Sequence, residues 1–142
     1  MRQLNATCSL ILGALCLLHP DIGQAQGADG TYRGTLNCAQ LPFTKGPQRV
    51  SLQVQVSSGR ASYSREVHNE TRTAVVGTET GSGTVSADGT MSLSGNWRGV
   101  RDSFSASYSG KLSARGGKLS GQQNWNYKGQ SYARSCSITL TR

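Results

Sequence analysis

Apolar and polar residues alternate along most of this chain, in eight separate runs. In the first run the even-numbered residues Tyr32, Leu36 and Cys38 are apolar, whereas the odd-numbered residues Thr35 and Asn37 are polar. Alternation of this kind places apolar side chains on one face of a β-strand and polar side chains on the other. The runs span residues 32–38, 50–56, 61–67, 75–85, 91–97, 104–112, 119–127 and 132–140. The 18 glycines and the many serines and threonines disfavour helices. We therefore predict eight short strands.

Turn-forming dipeptides separate the runs, so that consecutive strands are expected to pair directly. Ser58-Gly59 and Lys128-Gly129 are two of these turns, and residues 41–48 form the one longer loop. An even number of strands in a meander brings the first and last strands side by side and antiparallel. The sequence thus predicts an all-β fold, a small antiparallel up-and-down β-barrel of about eight strands, which leaves no exposed edge. A β-sandwich is the alternative.

The N-terminal residues have the pattern of a secretory signal peptide. Arg2 supplies a positive charge, and the apolar stretch at residues 8–18 is shorter than a membrane span requires. Gly23 and Ala25 then provide the small residues of a cleavage site. We predict a signal peptide at residues 1–25 and a single barrel domain at residues 26–142 of a periplasmic or secreted protein. An uncleaved membrane anchor is the alternative.

The four cysteines divide into two pairs once this boundary is drawn. Cys8 and Cys16 lie in the predicted signal peptide, which leaves Cys38 and Cys136 in the barrel domain. A pair of cysteines in an exported chain indicates a disulfide bond. Both residues belong to the apolar faces of the first and last predicted strands. We therefore expect Cys38 to face Cys136 across the seam where the barrel closes.

The charge of the chain argues against one class of partner, nucleic acid, but does not select a single partner among the remaining classes. The formal net charge is +8, and the basic residues are scattered from Arg33 to Arg142. Because no dense Lys/Arg block occurs, the sequence does not favour nucleic-acid binding. An outer-membrane barrel shows an apolar face to lipid, whereas alternate positions from Ser103 to Lys111 are polar. The basic surface is compatible with anionic glycans, lipid head groups or an acidic protein, and equally with no such partner.

Residues suited to catalysis are few in the predicted barrel domain. His68 is the one histidine of residues 26–142 and lies beside a predicted turn. The six acidic residues are mostly in predicted turns, and no two form an obvious acid–base pair. Motifs of serine hydrolases, phosphate-binding loops and zinc proteases do not occur, and the spacing of Cys38, His68 and Cys136 does not suit zinc. We predict a protein that is not an enzyme and uses no cofactor or metal.

Four polar side chains point towards the predicted interior. They are Arg65, Glu79, Gln123 and Arg134. Burial of a charge without a partner is costly, so these groups must pair with each other, reach water or bind a ligand. They therefore indicate either structural pairs or part of a binding site.

The hairpin registers place some of these polar residues beside aromatic ones. A two-residue turn at residues 128–129 sets Trp125 opposite Tyr132 and Gln123 opposite Arg134. Aromatic residues are then expected at one end of the barrel, away from the disulfide, with Arg134 and Gln123 one layer deeper. The predicted ligand-binding residues are Trp97, Phe104, Tyr108, Gln123, Trp125, Tyr132 and Arg134. In the alternative interpretation the aromatic rings merely plug the barrel, and a slip of one residue in register would exchange the two faces.

Two short motifs carry a resemblance to known proteins. Tyr-x-Gly-x-Leu-x-Cys at residues 32–38 and Arg-x-Cys-x-Ile-x-Leu at residues 134–140 resemble small exported proteins of unknown function from Gram-negative bacteria. The resemblance covers most of residues 26–142 and implies no activity. At the level of fold, the meander resembles avidins, lipocalins and periplasmic inhibitors of proteases or lysozyme. The avidin biotin-site motif is absent, and Tyr32 stands where the lipocalin Gly-x-Trp opening has tryptophan. Fold alone implies no function.

Three hypotheses for function follow from these patterns. The first is a non-catalytic exported barrel that holds a small, partly apolar or anionic molecule at its aromatic end. The second is a protein-binding or inhibitor module of the cell envelope that uses residues 41–48 or the hairpin at Asn69. Within that class a lysozyme inhibitor is disfavoured, because a strongly basic protein repels a basic lysozyme. The third is an enzyme, for which the sequence supplies no nucleophile and base.

Overall fold

The chain folds into one closed barrel of antiparallel strands, and the strands follow one another around it in chain order. The computed structural model describes residues 27–142, so the predicted signal peptide at residues 1–25 lies outside the described residues. The strands are β1 Gly30–Cys38, β2 Gln48–Ser57, β3 Arg60–His68, β4 Val75–Val85, β5 Thr90–Arg98, β6 Asp102–Ser113, β7 Gly116–Tyr127 and β8 Gln130–Thr141. The predicted eight-stranded up-and-down barrel is confirmed, and the alternative sandwich is wrong. Within residues 27–142 there is no helix with the length and apolar character needed to cross a membrane.

Short turns fix the registers that the sequence predicts. Lys128 and Gly129 have φ values of 52° and 80°, and a similar turn joins β2 to β3. Positive φ at both central residues is typical of a type I′ hairpin, in which the twist of the turn matches that of its strands. Trp125 consequently lies opposite Tyr132 in the β7–β8 ladder. The predicted inner face of these strands is therefore the observed one.

The disulfide closes the barrel at the seam between β1 and β8. Cys38 lies directly opposite Cys136, the Cα atoms are 4.0 Å apart, and the bond joins residues separated by 98 positions. The predicted pairing is confirmed, but the disulfide lies at the middle of β8 rather than at the end of the barrel opposite the aromatic residues. β1 is the shorter strand, so its last residue, Cys38, meets the middle of β8. The disulfide thus immediately precedes the loop at residues 39–47, which lies at the aromatic end.

The apolar faces of the strands fill the opposite end of the barrel. Tyr32 is fully buried there, and its hydroxyl donates to the carbonyl oxygens of Ala28 at 2.8 Å and Ser113 at 3.1 Å. Met91 and Leu140 are also buried at this end. Each buried aliphatic or aromatic side chain contributes about 1.5–3 kcal/mol. A packed core on this side leaves the other end of the barrel as the place for a cavity.

Strand pairing is incomplete around the hairpin formed by β3 and β4. The β2–β3 ladder has four residue pairs, the last of which towards the aromatic end is Val54–Tyr63. On the other side, the β4–β5 ladder ends at Thr80–Asn96. Beyond these points β3 and β4 pair only with each other, and no other strand of residues 27–142 pairs with either of them. We call residues 64–79 the free hairpin, because both of its outer edges lack a strand partner within this part of the chain.

Candidate ligand-binding site

A cavity of about 700 Å³ opens at the end of the barrel where the odd-numbered strands finish. The loops at residues 39–47, 69–74 and 99–101 surround it. Strand residues Val67, Trp97, Trp125 and Arg134 supply its inner wall. The volume is within the range of roughly 300–1,000 Å³ that small-molecule sites occupy.

Three aromatic rings pack together at the inner end of this cavity. The ring centroids of Phe104 and Trp125 are 4.5 Å apart, and that of Trp97 lies 5.8 Å from Phe104 and 6.0 Å from Trp125. The ladders explain the cluster, since Trp97 faces Phe104 across β5–β6 and Phe104 faces Trp125 across β6–β7. Aromatic rings at these separations pack favourably and offer a large apolar contact area.

Phe43 reaches the same cluster from the long loop between β1 and β2. Its ring stacks on Tyr127 with centroids 4.0 Å apart and an interplanar angle of 9°. Its edge contacts are with Trp125 at 5.8 Å and Tyr132 at 5.3 Å. The hydroxyl of Thr44 holds the loop in shape by hydrogen bonds to the loop backbone. Phe43 therefore forms a wall of the cavity that local sequence pattern does not reveal.

Arg134 is the buried charge of this end of the barrel, with 5% of its surface exposed. Its Nε and Nη2 atoms donate to Oε1 of Gln123 at 2.9 and 2.6 Å, and Nη2 also donates to the side-chain oxygen of Gln48. The guanidinium lies over the ring of Trp125, 5.3 Å from the centroid. The third nitrogen, Nη1, has no hydrogen-bond partner among residues 27–142. Arg134 thus lines the cavity with donor capacity to spare.

Gln123 is fully buried and fixes the orientation of that arginine. Its Nε2 donates to the hydroxyl of Tyr108 at 3.0 Å. Its Oε1 therefore points towards Arg134 and also accepts a hydrogen bond from Nε1 of Trp125 at 3.1 Å. One amide consequently positions both an aromatic wall and the charged group beneath it.

The second buried arginine belongs to a different network. Arg65 forms an ion pair with Glu79 at 2.5 Å, and both side chains are almost completely buried. Glu79 also accepts a hydrogen bond of 2.7 Å from the hydroxyl of Tyr63. The Arg65 guanidinium lies 5.8 Å from the centroid of Phe104. The two arginines therefore pack on different rings of the aromatic cluster.

Burial determines the protonation of these groups. It lowers the pKa of Arg134 to about 10, an effect to which the positive charge of Arg65 adds. It raises the pKa of Tyr108 to about 12, with a further contribution from the Glu79 carboxylate. Burial and then the Glu79 charge raise the pKa of Tyr63 as well. At neutral pH Arg134 is therefore a cation, and both tyrosines are neutral.

The seven predicted ligand-binding residues form one group that extends from this end of the barrel to its middle, where Tyr108 lies, but they are not equivalent. Trp97, Trp125 and Arg134 line the cavity. The other four lie outside the lining. Phe104 and Gln123 contact the lining residues directly, Tyr108 hydrogen-bonds to Gln123, and Tyr132 contacts Phe43. The predicted grouping is thus observed, while the assignment to ligand binding stays a prediction.

Two further features of the site escaped the sequence reasoning. The sequence does not place Phe43 or Gln48 at this site, and it associates the loops at residues 41–48 and around Asn69 with the protein-binding hypothesis. In the structure both loops line the cavity. Topology supplies the missing signal, because every loop that follows an odd-numbered strand of a meander lies at the same end of the barrel.

Comparison with protein-family models, curated proteins and solved structures finds no match for this chain. Within residues 27–142 no group of three or more His, Cys, Asp or Glu side chains is placed to hold a metal ion.

Proposed function

We propose that this protein is a non-catalytic, exported β-barrel that binds a small, partly apolar molecule in the cavity at its aromatic end. The observation that supports the proposal is a cavity of about 700 Å³ bounded by aromatic rings, with a buried arginine in its lining. Small-molecule sites characteristically combine concave apolar walls with a few polar groups in fixed positions.

The walls of the cavity are held in place before any ligand arrives. Trp125 packs on Phe104 and donates to Gln123, while Phe43 stacks on Tyr127 and contacts the edge of Trp125. A site that is already ordered loses less conformational entropy on binding. A flat apolar molecule that contacts these rings would therefore bind without rebuilding the barrel.

Export is the second part of the proposal. Disulfide bonds persist in oxidising compartments and are rare in the cytosol of most organisms. The bond between Cys38 and Cys136 fits such a compartment, and the sequence of residues 1–25 predicts the signal that directs the chain there. We accordingly propose a periplasmic or secreted protein.

Tryptophan fluorescence provides a direct test, because Trp97 and Trp125 are the two tryptophans of the chain. We expect N-phenyl-1-naphthylamine, a neutral apolar fluorophore, to bind saturably with one molecule per chain and to receive energy from these indoles. Phe43→Ala should weaken binding, since it removes one wall of the cavity. Val75→Ala is the matched control, as Val75 is an exposed apolar residue outside the lining. Absence of saturable binding, or equal effects of the two substitutions, would contradict the proposal.

A protein-binding module is the second candidate, and exposed valines at the same end of the barrel favour it. Val75, Val76 and Val100 are 52, 44 and 100% exposed. Exposed apolar patches on a folded domain often mark contacts with other proteins. If this candidate is right, a cell-envelope protein should bind the wild type but not a Val75→Ser variant, which leaves the cavity lining intact and should still bind the fluorophore. Equal capture by both proteins would count against it.

A further inference from the structure

The two buried arginines differ in the charge of their partners. Arg65 contacts a carboxylate, that of Glu79, at 2.5 Å. Arg134 hydrogen-bonds to the amide oxygens of Gln123 and Gln48, and no carboxylate pairs with it among residues 27–142. An amide oxygen satisfies a donor but does not neutralise a charge, and a buried charge without a counter-charge is costly. Arg134 is thus the group in the barrel that a bound anion would stabilise.

The free donor of Arg134 is placed for such an anion. Nε and Nη2 are occupied by the two glutamines, whereas Nη1 has no partner within residues 27–142 and the side chain lines the cavity. The guanidinium lies over the ring of Trp125, 5.3 Å from the centroid, and its hydrogen bonds to the two glutamines orient it. Guanidinium N–H groups form strong, charge-assisted hydrogen bonds with acidic oxygens. The geometry therefore joins an anion-binding group to an aromatic wall.

The other charged residues around the cavity also favour an anionic ligand. Apart from His68, the charged residues of the lining are Lys45, Glu70, Arg72, Arg101, Asp102 and Arg134. Four cations thus accompany two carboxylates, and Glu70 already accepts a hydrogen bond from the hydroxyl of Tyr127. A cleft with an excess of one sign of charge concentrates ligands of the opposite sign.

We propose that the ligand of this site is a small organic anion, with an aromatic or apolar body between the rings and an acidic group on the Arg134 guanidinium. The inference rests on the proposed function of the same cavity and specifies its ligand class. It also excludes an otherwise reasonable class. Aromatic walls bind quaternary ammonium groups, but Arg134 in the lining of this cavity would repel a cation.

Two fluorophores with the same body test the assignment. 8-Anilino-1-naphthalenesulfonate carries an acidic group, and N-phenyl-1-naphthylamine lacks it. We expect wild-type protein to bind the sulfonate about 10- to 100-fold more tightly, as one hydrogen-bonded charge pair provides. Added salt should weaken sulfonate binding and leave binding of the neutral fluorophore largely unchanged. Energy transfer from Trp97 and Trp125 reports that each fluorophore is bound, and weaker binding of both by Phe43→Ala assigns them to this cavity.

Substitutions of Arg134 distinguish the contribution of its charge to ligand affinity from the contribution of its packing. In Arg134→Gln, sulfonate affinity should fall much more than that of the neutral fluorophore, so that the roughly 10- to 100-fold preference for the sulfonate is lost. Arg134→Lys should retain part of the preference, since the charge remains but the planar fork is lost. Arg33→Gln removes the same charge from the exposed outer face and is the matched control. It should leave the affinity ratio unchanged.

The outcomes distinguish failure of this inference from failure of the proposed function. Equal binding of both fluorophores by the wild type would overturn the anion assignment and leave a ligand site in place. Saturable binding of neither would overturn both proposals. A sulfonate preference that persists in Arg134→Gln with unchanged circular dichroism would overturn the role of Arg134. Should that variant not fold, the affinity ratio of the wild type and that of Arg134→Lys decide the question.

Discussion

The hydroxyl oxygen of Tyr63 lies 2.0 Å from the position that a Cβ atom on Gly95 would occupy. Tyr63 extends from β3 across the interior, and its hydroxyl donates to Glu79 at 2.7 Å. The ring also passes over Gly81, where a Cβ would lie 2.1 Å from a ring carbon. Glycines in two neighbouring strands therefore make room for one buried tyrosine.

This contact predicts that Gly95→Ala destabilises the barrel. The added methyl must displace the tyrosine, and overpacking of a core typically costs about 1–3 kcal/mol. Urea unfolding measures the change. Gly46→Ala is the control, because nothing lies within 4 Å of its added Cβ, and its effect should stay below about 0.5 kcal/mol.

A double-mutant cycle identifies the tyrosine hydroxyl as the cause. Tyr63→Phe removes the atom that lies closest to the added methyl, so Gly95→Ala should cost less in that background than in the wild type. Tyr63→Phe by itself should destabilise by about 1–3 kcal/mol, because a buried carboxylate loses a donor. The same cost of Gly95→Ala in both backgrounds would show that the hydroxyl is not responsible.

The buried ion pair predicts asymmetric effects of substitution. Glu79→Gln should destabilise by roughly 3–5 kcal/mol, since it leaves Arg65 buried without a counter-charge. An Arg65→Met/Glu79→Leu variant removes both charges and should be much closer to the wild type. Thermal unfolding compares the two. A double variant as unstable as Glu79→Gln would mean that packing, rather than the unpaired charge, dominates.

The free hairpin predicts a region of low local stability. Two-stranded hairpins are marginally stable without further strands, and here the ion pair of Arg65 with Glu79 lies at the base of the unpaired part. Amides at residues 66–78 should exchange with solvent faster than those of β6 and β7, whose ladders are long on both sides. Hydrogen-exchange mass spectrometry tests this. Equal protection of the two regions would contradict it.

Removal of the disulfide should affect both stability and the cavity. The bond closes a loop of 98 residues, for which the chain-entropy estimate is about 4–5 kcal/mol. A Cys38→Ala/Cys136→Ala variant should therefore unfold at lower urea concentration. It should also bind the fluorophores more weakly, because Cys38 directly precedes the loop that carries Phe43. Unchanged affinity would show that the loop is held independently of the disulfide.

We expect Asp88, at the packed end of the barrel, to make a pH-dependent contribution to the stability of the folded protein. The Lys111 ammonium donates to it at 2.7 Å, and the backbone and hydroxyl of Thr90 donate as well. These bonds, that of Lys111 foremost, lower the pKa of the Asp88 carboxyl in the folded protein. Because the pKa is lower in the folded protein than in the unfolded chain, the ionised carboxylate stabilises the fold at pH values above the unfolded-state pKa of about 4. This stabilisation is lost as the pH falls below that value towards the folded-state pKa.

The comparison with Asp88→Asn makes this measurable. The wild type should have the higher melting temperature at pH 7, and the difference should shrink below about pH 4. Fluorophore binding should be the same in both proteins, since Asp88 is remote from the cavity lining. A difference that grows on acidification would contradict the assignment.

The sequence by itself determined the strands, their inner faces and the pairing of Cys38 with Cys136. These features depend on the alternation of apolar and polar residues and on short turns such as Lys128-Gly129, and both are local properties of the chain. The register that sets Gln123 opposite Arg134 follows for the same reason. The resemblance to exported proteins and the signal peptide remain predictions.

Tertiary structure decided which residues meet at the mouth of the barrel. Phe43 stacks on Tyr127, and Gln48 binds Arg134 from a position 86 residues away. Such contacts depend on the lengths of the ladders and the course of the long loop around the closed barrel, which no periodicity in the chain encodes. The same holds for the disulfide, whose place at the middle of β8 and directly before the long loop depends on how early β1 stops against β8. Only the closed barrel therefore reveals that one buried arginine meets a carboxylate and the other faces the cavity.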